Sequence, residues 1–278
     1  MNPYKPHVKA PNPEEIALVQ NTLTTHQLTS VCEAAACPNR SECYARKSAT
    51  FMILGDTCTR ACRFCNVKTG RPLPPDPTEP TRLAEAIKAL DLHYVVITSV
   101  DRDDLKDFGA SHFAACVQAI RKISPQTKIE LLTPDFKADK KALDTILAAQ
   151  PDKLAHNQES VRRLSKAIRP QSDYNRSLET LRYYAMHCST PVKSSLMVGL
   201  GESKKELLET MQDLLEAGVT QLTLGQYLQP TLKHHPVVQY YPETFFTKMK
   251  EKAYAMGFEA VASGVLVRSS YFAEQLGA

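Results

Sequence analysis

The chain has no run of about 18 uncharged apolar residues, so no membrane-spanning helix is expected. Met1 to Pro13 has neither a basic start leading into an apolar stretch nor a small-residue cleavage site, so a secretory leader is not expected and a cytoplasmic location is. Long blocks of like charge are missing too, and a net charge of +4 falls short of the basic stripe of a nucleic-acid binder. Neither nucleic acid nor a membrane is therefore expected as a partner; a mildly positive surface suits an acidic protein at least as well. There is no repeat in the solenoid range and no low-complexity segment. What remains is an ordinary globular composition, 43% hydrophobic and 23% charged over 278 residues. That length buries a full core in one large domain or two small ones.

Against this background the cysteines are unevenly placed. Of eight, six fall between Cys32 and Cys65, and the other two stand alone at Cys116 and Cys188. A chain this size in a reducing compartment has no need of disulfides, so clustered thiols point to metal. Cys58, Cys62 and Cys65 form a C-x3-C-x2-C group. Three thiolates on one short loop can hold three corners of a four-iron cluster, and no fourth cysteine follows at ferredoxin-like spacing. One iron is thereby left open for a ligand. Cys32, Cys37 and Cys43 form a second, C-x4-C-x5-C group, which suggests a second cluster also short of one ligand. The alternatives are structural zinc, completed in the second group by a distant histidine, and a redox thiol pair. Zinc wants four ligands, and its paired C-x2-C spacing is absent. Cys116, in an amphipathic stretch, and Cys188, just past another, read as structural thiols. The Lys233-His234-His235 run reads as a solvated loop.

After the Pro-rich connector Arg71 to Pro80 the chain alternates. Strands are expected at Tyr94 to Ser99, Lys128 to Leu132, Lys153 to His156, Val192 to Val198 and Gln221 to Gly225. Helices are expected near Thr81 to Leu90, Ser111 to Ile123, Lys140 to Ala149, Ser160 to Ile168, Arg176 to His187 and Lys204 to Ala217. With a strand at Ala49 to Leu54, this makes about six β-α units; a helix at Pro242 to Met256 and a strand at Phe258 to Ala262 follow. Buried apolar strands spaced by helices mean an α/β fold with a parallel sheet, and in such folds ligands collect at the carboxyl ends of strands. The second cysteine group follows the first strand directly and so sits at that edge.

The C-x3-C-x2-C spacing resembles that of the radical S-adenosylmethionine superfamily. Ala49 to Cys65 (ATFMILGDTCTRACRFC), Val95 to Asp104 (VVITSVDRDD), Met197 to Glu202 (MVGLGE), Leu222 to Pro230 (LTLGQYLQP) and Val267 to Tyr271 (VRSSY) together resemble the lipoyl synthases, over roughly Leu28 to Glu274. The resemblance implies a partial (β/α)6 TIM-type barrel over residues 49–264, with an N-terminal extension, 1–48, and a C-terminal tail, 265–278. It implies insertion of two sulfur atoms into a protein-bound octanoyl-lysine chain, with two 4Fe-4S clusters and S-adenosylmethionine as cofactors. Cys58, Cys62 and Cys65 would hold the cluster that binds S-adenosylmethionine and passes it one electron. Cys32, Cys37, Cys43 and the hydroxyl of Ser270 would hold an auxiliary cluster that serves as the sulfur donor, with Arg268 as support. Serine oxygen is a hard ligand for a soft site, so that corner should be the weakest.

The same resemblance places Phe64 near the adenine, and Ser99, Asp101, Asn157, Glu159, Lys193, Ser194, Gly199 and Glu202 toward the cofactor or acyl substrate. Helix caps and loop hydrogen bonds would explain several of these equally well. The partners it implies are octanoylated carriers, namely the lipoyl domains of 2-oxoacid dehydrogenase E2 subunits and the glycine cleavage H protein, together with a ferredoxin or flavodoxin and cluster-repair proteins. This chain departs from the family pattern at Ala61 (usually arginine), Ser195 (glycine), Val265 (proline) and Phe108 (glycine), none of them a proposed ligand. Another radical enzyme acting on a different chain, and a non-enzymatic iron-sulfur carrier, are the competing readings. A carrier has no use for an open iron.

Overall fold

The structure, a computed structural model, describes residues 13–34, 37, 39–45, 48–271, 273, 274 and 276. Most of the segment considered for a leader, and Ala35, Ala36 and Pro38 within the first cysteine group, lie outside the described residues. The described residues divide into two compact units, one within residues 13–60 and Val67–Leu154, the other within Ala61–Asn66 and residues 155–276.

The first unit begins with helix α1 (Pro13–Thr25), strand β1 (Thr29–Ser30) and two short helices that carry cysteines, α2 (Val31–Ala34) and α3 (Arg40–Ala45). Then come β2 (Ala49–Ile53), the two-residue strands β3 (Thr57–Cys58) and β4 (Lys68–Thr69), α4 (Glu79–Ala89), β5 (Tyr94–Ser99), α5 (Ala110–Ile123), β6 (Lys128–Leu132), α6 (Lys140–Ala148) and β7 (Lys153–Ala155). β2, β5 and β6 run parallel in that order, with Ile53 opposite Ser99 and Thr98 opposite Leu132, while β1 caps the edge antiparallel. β3 and β4 pair on their own, Cys58 opposite Thr69. β2 is buried along its whole length, as a strand covered on both faces must be. The helix ends follow local chemistry: Pro80 sits in the first turn of α4, and the Asp139 carboxylate accepts from the Ala142 N–H to start α6.

The second unit holds α7 (Arg162–Ile168), α8 (Tyr174–His187), β8 (Val192–Val198), α9 (Lys204–Glu216), β9 (Gln221–Gln226), α10 (Glu243–Met256) and β10 (Ala260–Gly264). β8, β9 and β10 are parallel, with Val198 opposite Gln226 and Gly225 opposite Gly264. A reciprocal Ser203–Glu206 capping box starts α9.

The expected alternation is thus present in both units. The last strand is displaced by two residues from Phe258 to Ala262. Gly257 ends α10 at φ 116° and the Phe258 N–H returns to the Ala253 carbonyl, so Phe258 and Glu259 are spent in the turn. The first three helices were not expected, nor was the β3–β4 pair.

Candidate functional site

The register in the first unit brings Leu54 and Ser99–Asp101 to one sheet edge, the carboxyl ends of β2 and β5. There the Cys58 sulfur accepts from the backbone N–H groups of Asp101 (3.3 Å) and Arg60 (3.4 Å), and its S–H points to Asp101 Oδ2 at 3.7 Å. The loop is sewn to β5 by Thr59, whose N–H and hydroxyl both donate to the Asp101 carbonyl at 3.0 and 2.9 Å.

Arg60, only 3% exposed, is the hub of this edge. Its Nε and Nη2 donate to Asp103 at 2.8 Å each, Nη2 reaches Asp135 at 2.7 Å, and Nη1 lies 3.2 Å from Asp101. Burial alone would favour loss of its proton, but Asp103, Asp101 and Asp135 outweigh it and hold the guanidinium charged. Ser99, at the end of β5, keeps a buried hydroxyl with no hydrogen-bond partner in the structure.

Before β2, Cys32 is buried in α2, and its N–H donates to the Ser30 hydroxyl at 3.1 Å. The Cys37 N–H returns to the Cys32 carbonyl at 3.0 Å and the Cys43 N–H to the Asn39 carbonyl at 3.0 Å. Burial pushes the Cys32 thiol up, and the nearby Cys37 pushes it further. None of the eight cysteines is in a disulfide. Among the described residues no three His, Cys, Asp or Glu side chains converge to hold a single ion; a cubane instead takes its thiolates at separate corners.

In the second unit the Cys62–Cys65 segment is held by a loop that sequence patterning had read as merely solvated. His234 bonds to the Cys65 carbonyl through Nε2 at 3.1 Å, the His235 N–H donates to the Arg63 carbonyl at 2.9 Å, and the Arg63 N–H donates to Ile168 O at 2.8 Å. Phe64 packs on the apolar cluster of Ile168, Leu200 and Tyr227. Nothing in the triplet Lys-His-His signals these backbone contacts; they emerge only when the chain is folded.

Glu159 takes a left-handed φ of 66° and is tied to β8, its N–H donating to Ser195 O and its carbonyl accepting from Met197 N–H, both at 2.9 Å. Such a conformation in a non-glycine residue is held by surrounding structure and marks a candidate site. Burial raises its carboxyl, against the opposing pull of Arg169 and a 3.0 Å hydrogen bond from Asn157. The Asn157 side-chain oxygen is buried without a partner. Lys193 and Ser194 are fully buried on β8, with the Ser194 hydroxyl accepting from Gln158 N–H. Ser99 in the first unit and Asn157 in the second thus each carry a buried polar atom without a hydrogen-bond partner in the structure.

Gly199 sits at φ 98°, and a Cβ there would run into the Gln226 amide and the Gln239 carbonyl. Glu202 closes this turn, accepting from the N–H groups of Gly199 (2.7 Å) and Leu200 (2.9 Å). Gln226 braces the same loops, donating to the carbonyls of Val198, Tyr227 and Gln239. In the tail, Arg268 donates to Gln226 O (3.3 Å) and Val267 O (2.7 Å), and half-buried Ser270 follows it. Cys116 is fully buried, and the Cys188 sulfur donates to Tyr184 O at 3.0 Å, so both pack as structural thiols.

Comparison with known proteins fits this arrangement. Residues 52–214 match the family model described as the radical SAM superfamily. The chain is 54% identical over 270 residues to a lipoyl synthase of Pasteurella multocida, covering 96% of this chain and 84% of that protein. It is 54% identical over 262 residues to one from Haemophilus influenzae, covering 94% and 82%. Two solved structures share the fold at low identity: methylornithine synthase (PylB), at TM-score 0.58, 13% identity and 89% and 77% coverage of the two chains, and HydG, a maturase of the FeFe-hydrogenase, at 0.61, 11%, 91% and 63%.

Proposed function

The chain belongs to the lipoyl synthases, sulfurtransferases of the radical S-adenosylmethionine superfamily, and from that premise we propose how its own residues divide the work. Cys58, Cys62 and Cys65 hold the 4Fe-4S cluster with an open iron; Cys32, Cys37, Cys43 and Ser270 hold the auxiliary one. When bound, the first supplies an electron for cleavage of S-adenosylmethionine, and the second supplies sulfur. Unactivated C–H bonds need such cofactor chemistry, and the protein contributes geometry and exclusion of water.

The Cys58 corner is oriented by the Arg60 and Asp101 N–H groups, and the Cys62–Cys65 side by His234 and His235. Ser99 and Asp101 in the first unit, and Asn157, Glu159, Lys193 and Ser194 in the second, would contact the polar parts of S-adenosylmethionine or the acyl substrate, and Gly199 and Glu202 would shape the turn that follows β8. Phe64, lodged on Ile168, Leu200 and Tyr227, offers the adenine an apolar neighbour. The Arg268 contact to Gln226 anchors the tail that carries Ser270.

The substrate we propose is an octanoyl-lysine on a carrier of the lipoyl-domain or H-protein type, with electrons from a ferredoxin or flavodoxin, rebuilding of the auxiliary cluster by repair proteins, and a cytoplasmic location. No helix among the described residues is long and apolar enough to cross a membrane. The observation that carries the reading is similarity to lipoyl synthases along nearly the whole chain, both cysteine groups included. Anaerobic incubation with an octanoyl-lysine peptide, S-adenosylmethionine and a reductant should give a doubly thiolated peptide. Deoxyadenosine released without thiolation would instead indicate a radical enzyme with another substrate.

A further inference from the structure

We propose that Arg60 is a positioning residue that sets the reduction potential of the cluster at Cys58, by holding the Asp101 carboxylate and balancing its charge beside the cysteine sulfur. The inference rests on the reading of Cys58 as a cluster ligand.

Asp101 presents two opposed groups to one sulfur. Its backbone N–H donates to Cys58 Sγ at 3.3 Å, while its carboxylate oxygen lies 3.7 Å from the same atom. As a thiol, Cys58 can give its hydrogen to that oxygen. As an iron ligand it has no hydrogen to give, and a carboxylate is left facing an anionic sulfur at a partly buried edge, where charges are poorly screened. The Arg60 guanidinium lies 3.2 Å from the other Asp101 oxygen.

Arg60 cannot drift from this post, because Asp103 and Asp135 take its remaining donors in a fixed fork. Its own N–H is the second donor to the Cys58 sulfur. Lys137 adds a weaker positive charge 3.9 Å from Asp103, on the far side of the fork. One residue therefore orients the loop, places a hydrogen bond on the ligand and offsets the Asp101 carboxylate beside it. Hydrogen bonds and net charge at the sulfurs are what tune such clusters.

The test is a redox titration of the full-length protein carrying both clusters, in which one electron enters from an external one-electron donor and the reduced signal is read by electron paramagnetic resonance. The signal missing from Cys58→Ala identifies the cluster concerned. Asp101→Asn keeps the backbone N–H and removes only the charge. It should raise the reduced-to-oxidised ratio at a fixed solution potential about tenfold, a shift of about 59 mV for a one-electron couple.

Arg60→Lys keeps a cation but not the fork, and should lower the ratio at least about threefold. Opposite shifts are the signature, since a merely structural role would reduce cluster loading without them. Unshifted titration of the loaded Asp101→Asn protein overturns the proposal, even where Arg60→Lys fails to load. Loss of the signal in that near-isosteric variant also overturns it, because Asp101 would then build the site rather than tune it. If Cys58→Ala loses no signal, it is the cluster assignment that fails.

Discussion

Arg60 shows how much one side chain can hide from a sequence. Nothing in the local sequence marks Arg60 out, yet it is buried among three aspartates drawn from two β-α loops. Asp101, by contrast, was legible as a strand-end residue but not as a partner of Cys58, because that contact joins positions 43 residues apart. Replacing Arg60 by Met should cost roughly 3–5 kcal/mol in urea unfolding, since fully buried Asp135 is left without its counter-charge; a loss below about 1 kcal/mol would contradict this account of the edge. Phe108 is a second case. The family glycine it replaces is explained by a φ of 57°, a conformation that costs a bulky residue strain.

Glu159 makes a pH-dependent prediction. Burial raises its folded-state carboxyl above the ordinary 4.5, so the folded protein binds that proton more tightly than the unfolded chain. The associated stability is present at low pH and is lost as pH rises from 4.5 through the raised value. Glu159→Gln should therefore gain stability relative to the parent across that interval and keep a constant lead above it, as followed by urea midpoints at stepped pH. A difference independent of pH would show that the carboxyl is not held in the environment described.

At the scale of elements, the strands and long helices followed the periodicity of buried residues closely, which is why β5, β6 and β8 fall on their expected bounds. Short pieces did not. α2 and α3 have too few residues for a helical period to register, and two-residue β3 and β4 carry no pattern at all. Capping chemistry is local and readable. Ser203→Ala should cost about 1 kcal/mol by breaking the box that opens α9. Its partner Glu206 is held down to about 2 by Arg163 and by Ser203. That contribution is present above pH 4.5 and is lost as pH falls toward 2, so the penalty of Arg163→Ala, which removes the largest cause, should shrink over the same range.

The contact between β9 and the tail is not readable, since it depends on one missing side chain. A Cβ at Gly225 would strike the carbonyl of Val267, which immediately precedes Arg268 and lies three residues before Ser270. Gly225→Ala should push the tail away and lower the iron content of the anaerobically purified protein toward about half, with the Cys58 cluster retained. Full iron content in that variant would count against Ser270 as a ligand.

For the molecule as a whole, the α/β class and the position of the second cysteine group at the carboxyl end of β2 were legible because both follow from alternation and from where the cysteines interrupt it. The division into two units was not, for it cuts the C-x3-C-x2-C loop between Arg60 and Ala61, inside a segment that sequence treats as continuous. The proposed division of labour has one cysteine group use S-adenosylmethionine while the other surrenders its sulfide. The most direct measurement is a single turnover by protein whose clusters were built with heavy-isotope sulfide, with the thiolated octanoyl-lysine peptide read by mass spectrometry. Both inserted sulfurs should carry the label, and Cys32→Ala should abolish the product while still releasing deoxyadenosine. Unlabelled product, or labelled product from Cys32→Ala, would contradict it.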